Sequence, residues 1–566
     1  MRANEQLRSL RVEVCYCVIP KRKISIAAVI RCNLPLAMLC LLVGLLPQML
    51  PATDYFVGTS GDDRASGTSP DTAWRSVGQV SARSFLPGDR VLFQGNQEFR
   101  GNLRLDRKSA GRTNAPVVIT SFGRGRARLL AGRESGITIE SAGCITISNL
   151  MVVGDGPTNN LGYGVLFDNR LDDFERLEDV RIENVDVGGF GIFGILISGK
   201  QAGFNHVRVI GCDLHDNLRG GMEIAGRLSW DSPRYAHTDV QVVRCQAHHN
   251  PGDPHYEKNH SGSGMVLYEV DDGLFEDCRA WENGQLCHHG NGGVGIWTCA
   301  SRGVVIQHCE SFDNRTSGGD GGGFDLDGGS MDCMLQDNYS HDNDGPGLMV
   351  YTYAYASRTD KGCTVRFNVS DNDSRRNRAY AGLWVRSDGN GIAGLEVYNN
   401  TVRTGSWSNQ AAFVDGNRVE AVFRDNIFIG SGGALPLLVE HPNGKLRFEN
   451  NLYWCGGAPF RIRWGDRSYT ALTEWREAAG QESQAGKMLG VFADPNLPGE
   501  SVKTANRGAN WQERLAPYKP LPNSFVLTQG IAVAAESPKT QSCLDILGSV
   551  LTSTQWPLGA VGPGSW

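Results

Sequence analysis

VVIQHCESFDN at residues 304–314 and MLQDNYSHDN at residues 334–343 are one phrase written twice. Each has an apolar alternating run, then a small polar or thiol residue, then an Asn five positions further on. Upstream the phrase returns as VRIENVDV (180–187), VRVIGCDLHDN (207–217), VQVVRCQAHHN (240–250) and LFEDCRAWEN (274–283). Downstream it returns as TVRFNVSDND (364–373), LEVYNNTV (395–402), VFRDNIF (422–428) and LRFENNLYW (446–454). Aligned, these phrases place Asn184, Cys212, Cys245, Cys278, Cys309, Asn338, Asn368, Asn400, Asn426 and Asn451 in one column. Successive members are roughly 25 to 33 residues apart, the period of a solenoid. A solenoid turns sequence into a grid in which each repeat touches only its neighbours.

Between the phrases stand glycine-led runs: GMEIAG from Gly221, GMVLYE from Gly264, GVGIWT from Gly293, GFDLDG from Gly323, GLMVYT from Gly347 and GLWVRS from Gly382. The first and third residues after each glycine are apolar, from Met222 and Ile224 to Leu383 and Val385. Alternation of period two means strands with one face in a core. Parallel strands joined coil after coil by turns make a right-handed parallel β-helix, an all-β solenoid. A propeller needs four strands per repeat, which this period does not supply. A leucine-rich repeat would show leucine where this chain has Asn or Cys. The column side chains read as turn residues bonding the backbone of the next coil. A second ladder is expected at Asn217, Asn250, Asn283, Asn314 and Asn343, with His215, His248, Trp281, Phe312 and His341 stacked between.

The 566 residues carry a formal net charge of -6 and no basic run, which argues against nucleic acid as partner. A mildly acidic surface also repels acidic polysaccharides unless arginines or a bound cation compensate. Lys21, Arg22 and Lys23 precede the apolar stretch Leu34 to Leu46, then Pro47, Pro51 and Ala52, the layout of a secretory signal. That apolar stretch is short for a membrane span of about 20 residues. The expectation is a soluble, exported, extracellular or periplasmic monomer with no stable membrane insertion once the signal is cleaved. Of 15 cysteines, four fall in this leader and eleven lie from Cys144 to Cys543. Small buried thiols are the expected reading, because four of them share the asparagine column. The expected divisions are a leader at 1–52, an N-terminal cap and first coils at 53–130, β-helix repeats at 131–455, and C-terminal coils with a capping segment at 456–566.

DYFVGTSGDDRASGTSPDTAWRSVGQV, from Asp54, resembles the opening of secreted β-helix proteins of the pectin-lyase-like superfamily, and DILGSVLTSTQWPLGAVGPG resembles their closing segment. Within the opening segment, Ala73 to Val80 can form a short capping helix; PGDRVLF from Pro87 reads as the first strand, and TALTEWREAAG from Thr470 is helical in period. The resemblance implies fold and compartment rather than chemistry, since the superfamily hosts lyases, hydrolases, epimerases and adhesins.

The outward residues of the glycine-led strands form two columns, Glu223, Val266, Gly295, Asp325, Met349, Trp384 and Ala225, Tyr268, Trp297, Asp327, Tyr351, Arg386. On this reading Trp297 flanks Asp327 and Gly295 leaves space beside Asp325. Carboxylates among aromatics suit a sugar, whose faces stack on rings while its hydroxyls bond to acids. Glu223, Tyr268, Trp297, Tyr351, Trp384 and the loop residue His289 are therefore substrate-binding candidates on a polysaccharide or oligosaccharide cleft. Asp325 and Asp327 alternate with Leu326 and both face outward, roughly 6.5 to 7 Å apart along the strand. They are candidate acid and base, a spacing near the lower bound of about 6.5–9.5 Å for an inverting glycosidase. With Asp320 and Asp344 they instead make an oxygen-rich calcium site, or they only bond to the surrounding glycine turns. The segment Asp320 to Gly347 resembles the calcium-bearing coils of family 9 pectate lyases, but Asn343-Asp344 stands for the expected acid pair. For such a lyase Arg386, or Lys361, would be the base. GFDLD is similar to the GFDPH motif of alginate C5-epimerases, with Asp327 in place of the histidine. His249, His255, Lys258, His260, His288 and His289 lie on loops expected to overhang the cleft. The function expected is a secreted carbohydrate-active enzyme, with glycoside hydrolysis ahead of calcium-dependent uronate lysis, and a non-catalytic glycan-binding solenoid as a third class.

Overall fold

The computed structural model describes residues 51–562, apart from 173, 228–233, 289, 357, 499–510, 532–543, 550 and 552–555. The leader expected over 1–52 and the candidate His289 fall outside these residues, Pro51 and Ala52 excepted. Three sheets of 15, 14 and 14 strands, parallel except where Ile462–Trp464 meets Arg467–Tyr469, run the length of the solenoid. One coil is Val270–Glu276, Arg279–Trp281 and Ile296–Cys299, a strand for each sheet. This is the expected right-handed parallel β-helix. Among the described residues no helix is long and apolar enough to cross a membrane.

Stacks of inward side chains fill the interior. Met222, Met265, Ile296, Phe324, Leu348 and Leu383 follow one another on successive coils, all buried. Burial of this kind stabilises by about 25 cal/mol per Å² of apolar surface.

Each coil turns its first corner through a residue with left-handed backbone: Arg244 (φ 53°), Asp277 (55°), His308 (52°), Asp337 (55°), Phe367 (52°), Asn399 (54°) and Asp425 (55°). The column residue follows directly. The Asn338 amide donates to the carbonyl of Ile306 at 2.8 Å and to Asn368 Oδ1 at 3.0 Å. Its backbone N–H also donates to Asn368 Oδ1 at 3.0 Å. The same bonds link Asn368, Asn400, Asn426 and Asn451. Cysteine works in this place because its thiol reaches the same acceptor: Cys278 Sγ donates to the carbonyl of Val242 at 3.4 Å. All ten cysteines among the described residues are free and buried.

Asn184 is one residue out of the column. It occupies the left-handed corner (φ 54°), and buried Val185 takes the ladder place. Asn suits both positions, so the letter alone misaligned the coil. The second ladder forms from Asn217 to Asn343. It ends on Asp373, whose Oδ1 accepts from the Asn343 amide at 2.8 Å. The ring column stacks as expected, with Trp281–Phe312 centroids 5.7 Å and Phe312–His341 centroids 4.9 Å apart.

The ends differ from expectation in detail. The first strand is Asp54–Val57, and the expected one, Arg90–Gln94, pairs beside it. The N-terminal helix is shorter, Val77–Ser81, with Ser76 accepting from the Gln79 N–H as its cap. At the other end Leu472–Ala479 is helical, and Trp475 packs edge-on against Phe448 and Tyr453 of the last coils. The closing segment does not cover that end. It runs back along the flank, where Gly559 N–H donates to the Asp425 carbonyl at 2.7 Å and Arg514 pairs with Glu310 at 2.7 Å.

Asn368→Ala removes four ladder bonds and leaves donors of the adjoining coil buried, a loss of about 3 kcal/mol or more. Asn368→Cys keeps a donor and an acceptor in the same place and is expected to lose less. Denaturant midpoints of the two variants check this; equal losses would mean the ladder bonds are not what stabilises the corner.

Candidate functional site

The outward face of the glycine-led sheet bears a cavity of about 600 Å³. In register along it stand Glu223, Val266, Trp297, Asp325, Met349, Trp384, Phe413, Leu438 and Arg463. The cavity includes Tyr268, Trp297, Tyr351 and Trp384 from the expected binding set, together with the candidate base Arg386. Glu223 lies outside it, in an adjoining hollow.

Two expectations from the sequence are corrected by the structure. Trp297 stands beside Asp325, not Asp327, and Gly295 is the leading glycine of its strand. A Cβ on Gly295 would lie 2.0 Å from Ser311 Oγ, so this glycine serves close packing rather than ligand space. The second correction is exposure. Asp325 and Asp327 point away from the solenoid core, yet they are only 1% and 5% exposed. Loop side chains, among them Tyr353, Tyr380 and His260, wall the cavity around them.

The carboxyls differ in their bonding. Asp325 Oδ1 is buried with no hydrogen-bond partner among the described residues. Burial, then the charges of Asp327, Asp320 and Asp360, pushes its pKa well above the ordinary carboxyl value. Burial pushes Asp327 well above the ordinary carboxyl value too, although the Gly328 N–H pulls the other way by donating to Oδ1 at 2.8 Å. The Tyr353 hydroxyl donates to Asp327 Oδ2. Asp327 is therefore the member of the pair equipped to carry charge. Asp320 is less covered than either, lies on the loop before their strand, and accepts from the Gly292 N–H at 3.0 Å. Burial raises its pKa to about 7, against the pull of that N–H.

Arg386 is held between Asp388 (3.0 Å) and Asp415 (2.8 Å). Burial opposes its charge, but these carboxylates outweigh burial and raise its pKa. That environment keeps the guanidinium protonated, which works against service as a base. Asp344 does not line the cavity. Its Oδ2 accepts from the Thr316 N–H at 3.1 Å and its Oδ1 lies 3.8 Å from Arg315. The four acids considered for calcium are thus divided between two places. Among the described residues, the side chains with potential metal-donor atoms within 4.8 Å of one another are Asp415, Glu440 and His441. Asp415 there is already paired with Arg386. Of the loop histidines, His260 reaches the cavity and meets the Tyr268 hydroxyl at 2.6 Å. His249 instead faces Glu282 at 2.5 Å, beside the stacked ring column.

Sequence reading missed Tyr353, Tyr355, Tyr380, Asp415 and Glu440, all of which line the cavity. The alternation Tyr351, Tyr353, Tyr355 was a usable signal for the first two. Asp415 and Glu440 lie beyond the last glycine-led run, where the grid had no marker.

A family model described as right handed beta helix region matches residues 135–369. The match agrees with the right-handed parallel β-helix seen in the three sheets. A lacto-N-biosidase from Bifidobacterium longum subsp. longum is 22% identical over 502 residues, covering 71% of this chain. The match spans 30% of that protein's length. Among solved structures, a GH136 lacto-N-biosidase from Eubacterium ramulus aligns at 16% identity with a TM-score of 0.48, covering 70% of this chain and 67% of that one. Pectate lyase Pel9A aligns at 14% identity with a TM-score of 0.42, covering 91% and 97%.

Asp325→Asn is expected to stabilise the protein at neutral pH. An ordinary Asp in the unfolded chain titrates near 3.9. Between that value and its raised native pKa, only the native state holds the proton, so stability falls as pH rises through this window. Each pH step across it costs about 1.4 kcal/mol. The melting gain of Asp325→Asn should be largest near pH 7 and shrink toward pH 4. A loss at pH 7 would mean the carboxyl is bonded as part of the scaffold.

Proposed function

We propose that the protein is a carbohydrate-active enzyme that hydrolyses a glycosidic bond of a neutral glycan. The observation that carries this reading is a set of carboxyls with unequal environments in one aromatic-walled cavity. Catalytic acids and bases are distinguished by such environments, which push their pKa values apart. Asp320 supplies the proton. Its pKa of about 7 matches an acid working near neutrality, and it is the most open of the three carboxyls. Asp327 is the carboxylate partner, its charge supported by Tyr353 and the Gly328 N–H. Asp325, assigned with Asp327 from sequence alone, stays protonated and uses its unpartnered carboxyl to hold a sugar hydroxyl. In the reaction the glycosidic oxygen takes the Asp320 proton as the bond to the anomeric carbon breaks. Asp327 stabilises the positive charge that develops there; water then bonds to the anomeric carbon and gives up a proton to the cavity carboxylates, which restores the proton Asp320 lost.

The cavity's charge supports a neutral substrate. Five acids line it, Asp320, Asp325, Asp327, Asp415 and Glu440, against Arg386 and Arg463. Arg386 is already paired, so little positive charge is left to hold a uronate. Trp384, with a buried indole N–H that has no partner among the described residues, offers both a ring face and a donor. The lacto-N-biosidase match agrees with a glycan substrate in class. Export, expected from residues 21–52, would place the enzyme where such glycans are met.

The test is the release of reducing ends from a panel of neutral oligosaccharides. Asp320→Asn and Asp327→Asn should each lower kcat/KM by about 10²–10⁴-fold. The wild-type profile should fall above about pH 7 as Asp320 loses its proton. Unsaturated uronate products that a chelator abolishes would replace hydrolysis with calcium-dependent elimination. Glycan binding with no product from any member would leave a non-catalytic solenoid.

A further inference from the structure

A second hollow of about 190 Å³ adjoins the cavity at its N-terminal end. It shares Asn259, His260 and Tyr268 with the cavity, and the 2.6 Å bond between His260 and Tyr268 lies at their common wall. Its remaining lining includes Phe193, Arg219, Glu223 and Tyr256. Glu223 makes no hydrogen bond or ion pair within the described residues. Its strand neighbours on the outward face are Leu196 and Val266, which offer its carboxyl nothing polar. Burial alone raises its pKa, to about 7. Glu223 is half-buried and its side chain lines the hollow, so with apolar strand neighbours its hydrogen bonds are left to whatever fills that hollow. Opposite it, Arg219 lies 4.1 Å over the Tyr256 ring and bonds to Asp253 at 3.2 Å, which fixes both as a rigid wall.

We propose that the Glu223 hollow is a separate subsite for one neutral pyranosyl residue of the glycan. The inference rests on the proposed glycan reading and deepens it. The volume is below the roughly 300–1,000 Å³ of pockets for drug-sized ligands, and suits a single ring. Sugar hydroxyls donate to Glu223, while Tyr256 and Phe193 offer ring faces to the apolar side of a pyranose. Glu223 lies three rungs from Asp325, about 14 Å along the solenoid. The subsite therefore reads a unit of the chain away from the bond that breaks, and the His260–Tyr268 pair separates the two.

The test uses the full chain carrying Asp327→Asn, so that no turnover confuses binding. Methyl β-glucoside, methyl β-galactoside, methyl α-fucoside and methyl N-acetyl-β-glucosaminide are titrated by saturation-transfer NMR. At least one is expected to bind with an affinity that Glu223→Ala weakens tenfold or more, and that Trp384→Ala in the main cavity changes less than twofold. Glu223→Gln, which keeps the volume, replaces the alanine variant should that one fail to fold. Binding that survives both Glu223 variants, binding abolished by Trp384→Ala, or no binding by any probe would each overturn the subsite. Loss of cleavage across the oligosaccharide panel with Glu223-dependent binding intact would remove the hydrolase reading alone.

Discussion

The register between coils is held by one recurring device, a left-handed corner followed by an amide that bonds the next coil. The corner turns the chain sharply, and for a residue with a Cβ such backbone costs on the order of 1–3 kcal/mol. It also exposes an N–H and a carbonyl that the sheet cannot satisfy. The Asn amide answers both, donating down to the preceding coil while its oxygen accepts from that coil's column residue. Because every member needs the next, the ladder must end on an acceptor that asks for nothing further. A carboxyl meets that condition. Asp373 ends one ladder and Glu482 the other, and burial raises each to about 7. Both belong to the scaffold, although taken singly they look like functional acids.

With the interior complete in itself, the outward face is free to hold groups that weaken the fold. Asp325 and Trp384 each keep a buried polar atom on that face with no partner among the described residues. The aromatic wall offsets part of this. Tyr268, Trp297, Met349, Trp384 and Phe413 form a hydrophobic cluster of their own, apart from the solenoid core. Their burial contributes apolar stabilisation while keeping water from the carboxyls. The same side chains therefore stabilise the region and raise the pKa values within it.

Much of this was legible in the residues, and the failures have physical causes. Period-two alternation gave the inward parity of the glycine-led strands but could not see a slip of two residues, so Val294 was counted inward although it lines the cavity, and inward Thr298 was missed. GVGIWT contains two candidate leading glycines, and the wrong one moved Trp297 from the Asp325 column to the Asp327 column. Asn184 failed because Asn tolerates the left-handed corner as readily as the ladder place. The burial of Asp325 and Asp327 was invisible because it comes from loops with no repeat. Tyr380 reaches the cavity from a loop whose length and letters follow no column. Side chains fixed by the coil were readable, and those fixed by loop paths were not.

Burial also changes what the cavity's charge means. Counted as ions, its five lining acids would repel nearly any anion and bind a cation. Their environments say otherwise, since burial raises Asp325 well above the ordinary carboxyl value and Asp320 to about 7. A protonated carboxyl offers a donor and an acceptor together, which is what a sugar hydroxyl requires. Arg386, by contrast, brings charge that Asp388 and Asp415 already cancel. The face is therefore less anionic than its sequence and rich in paired donors and acceptors between aromatic rings. Under the proposed reading, desolvation first makes the acids fit to recognise a polyol, and the unequal bonding of Asp320 and Asp327 then lets them act on it.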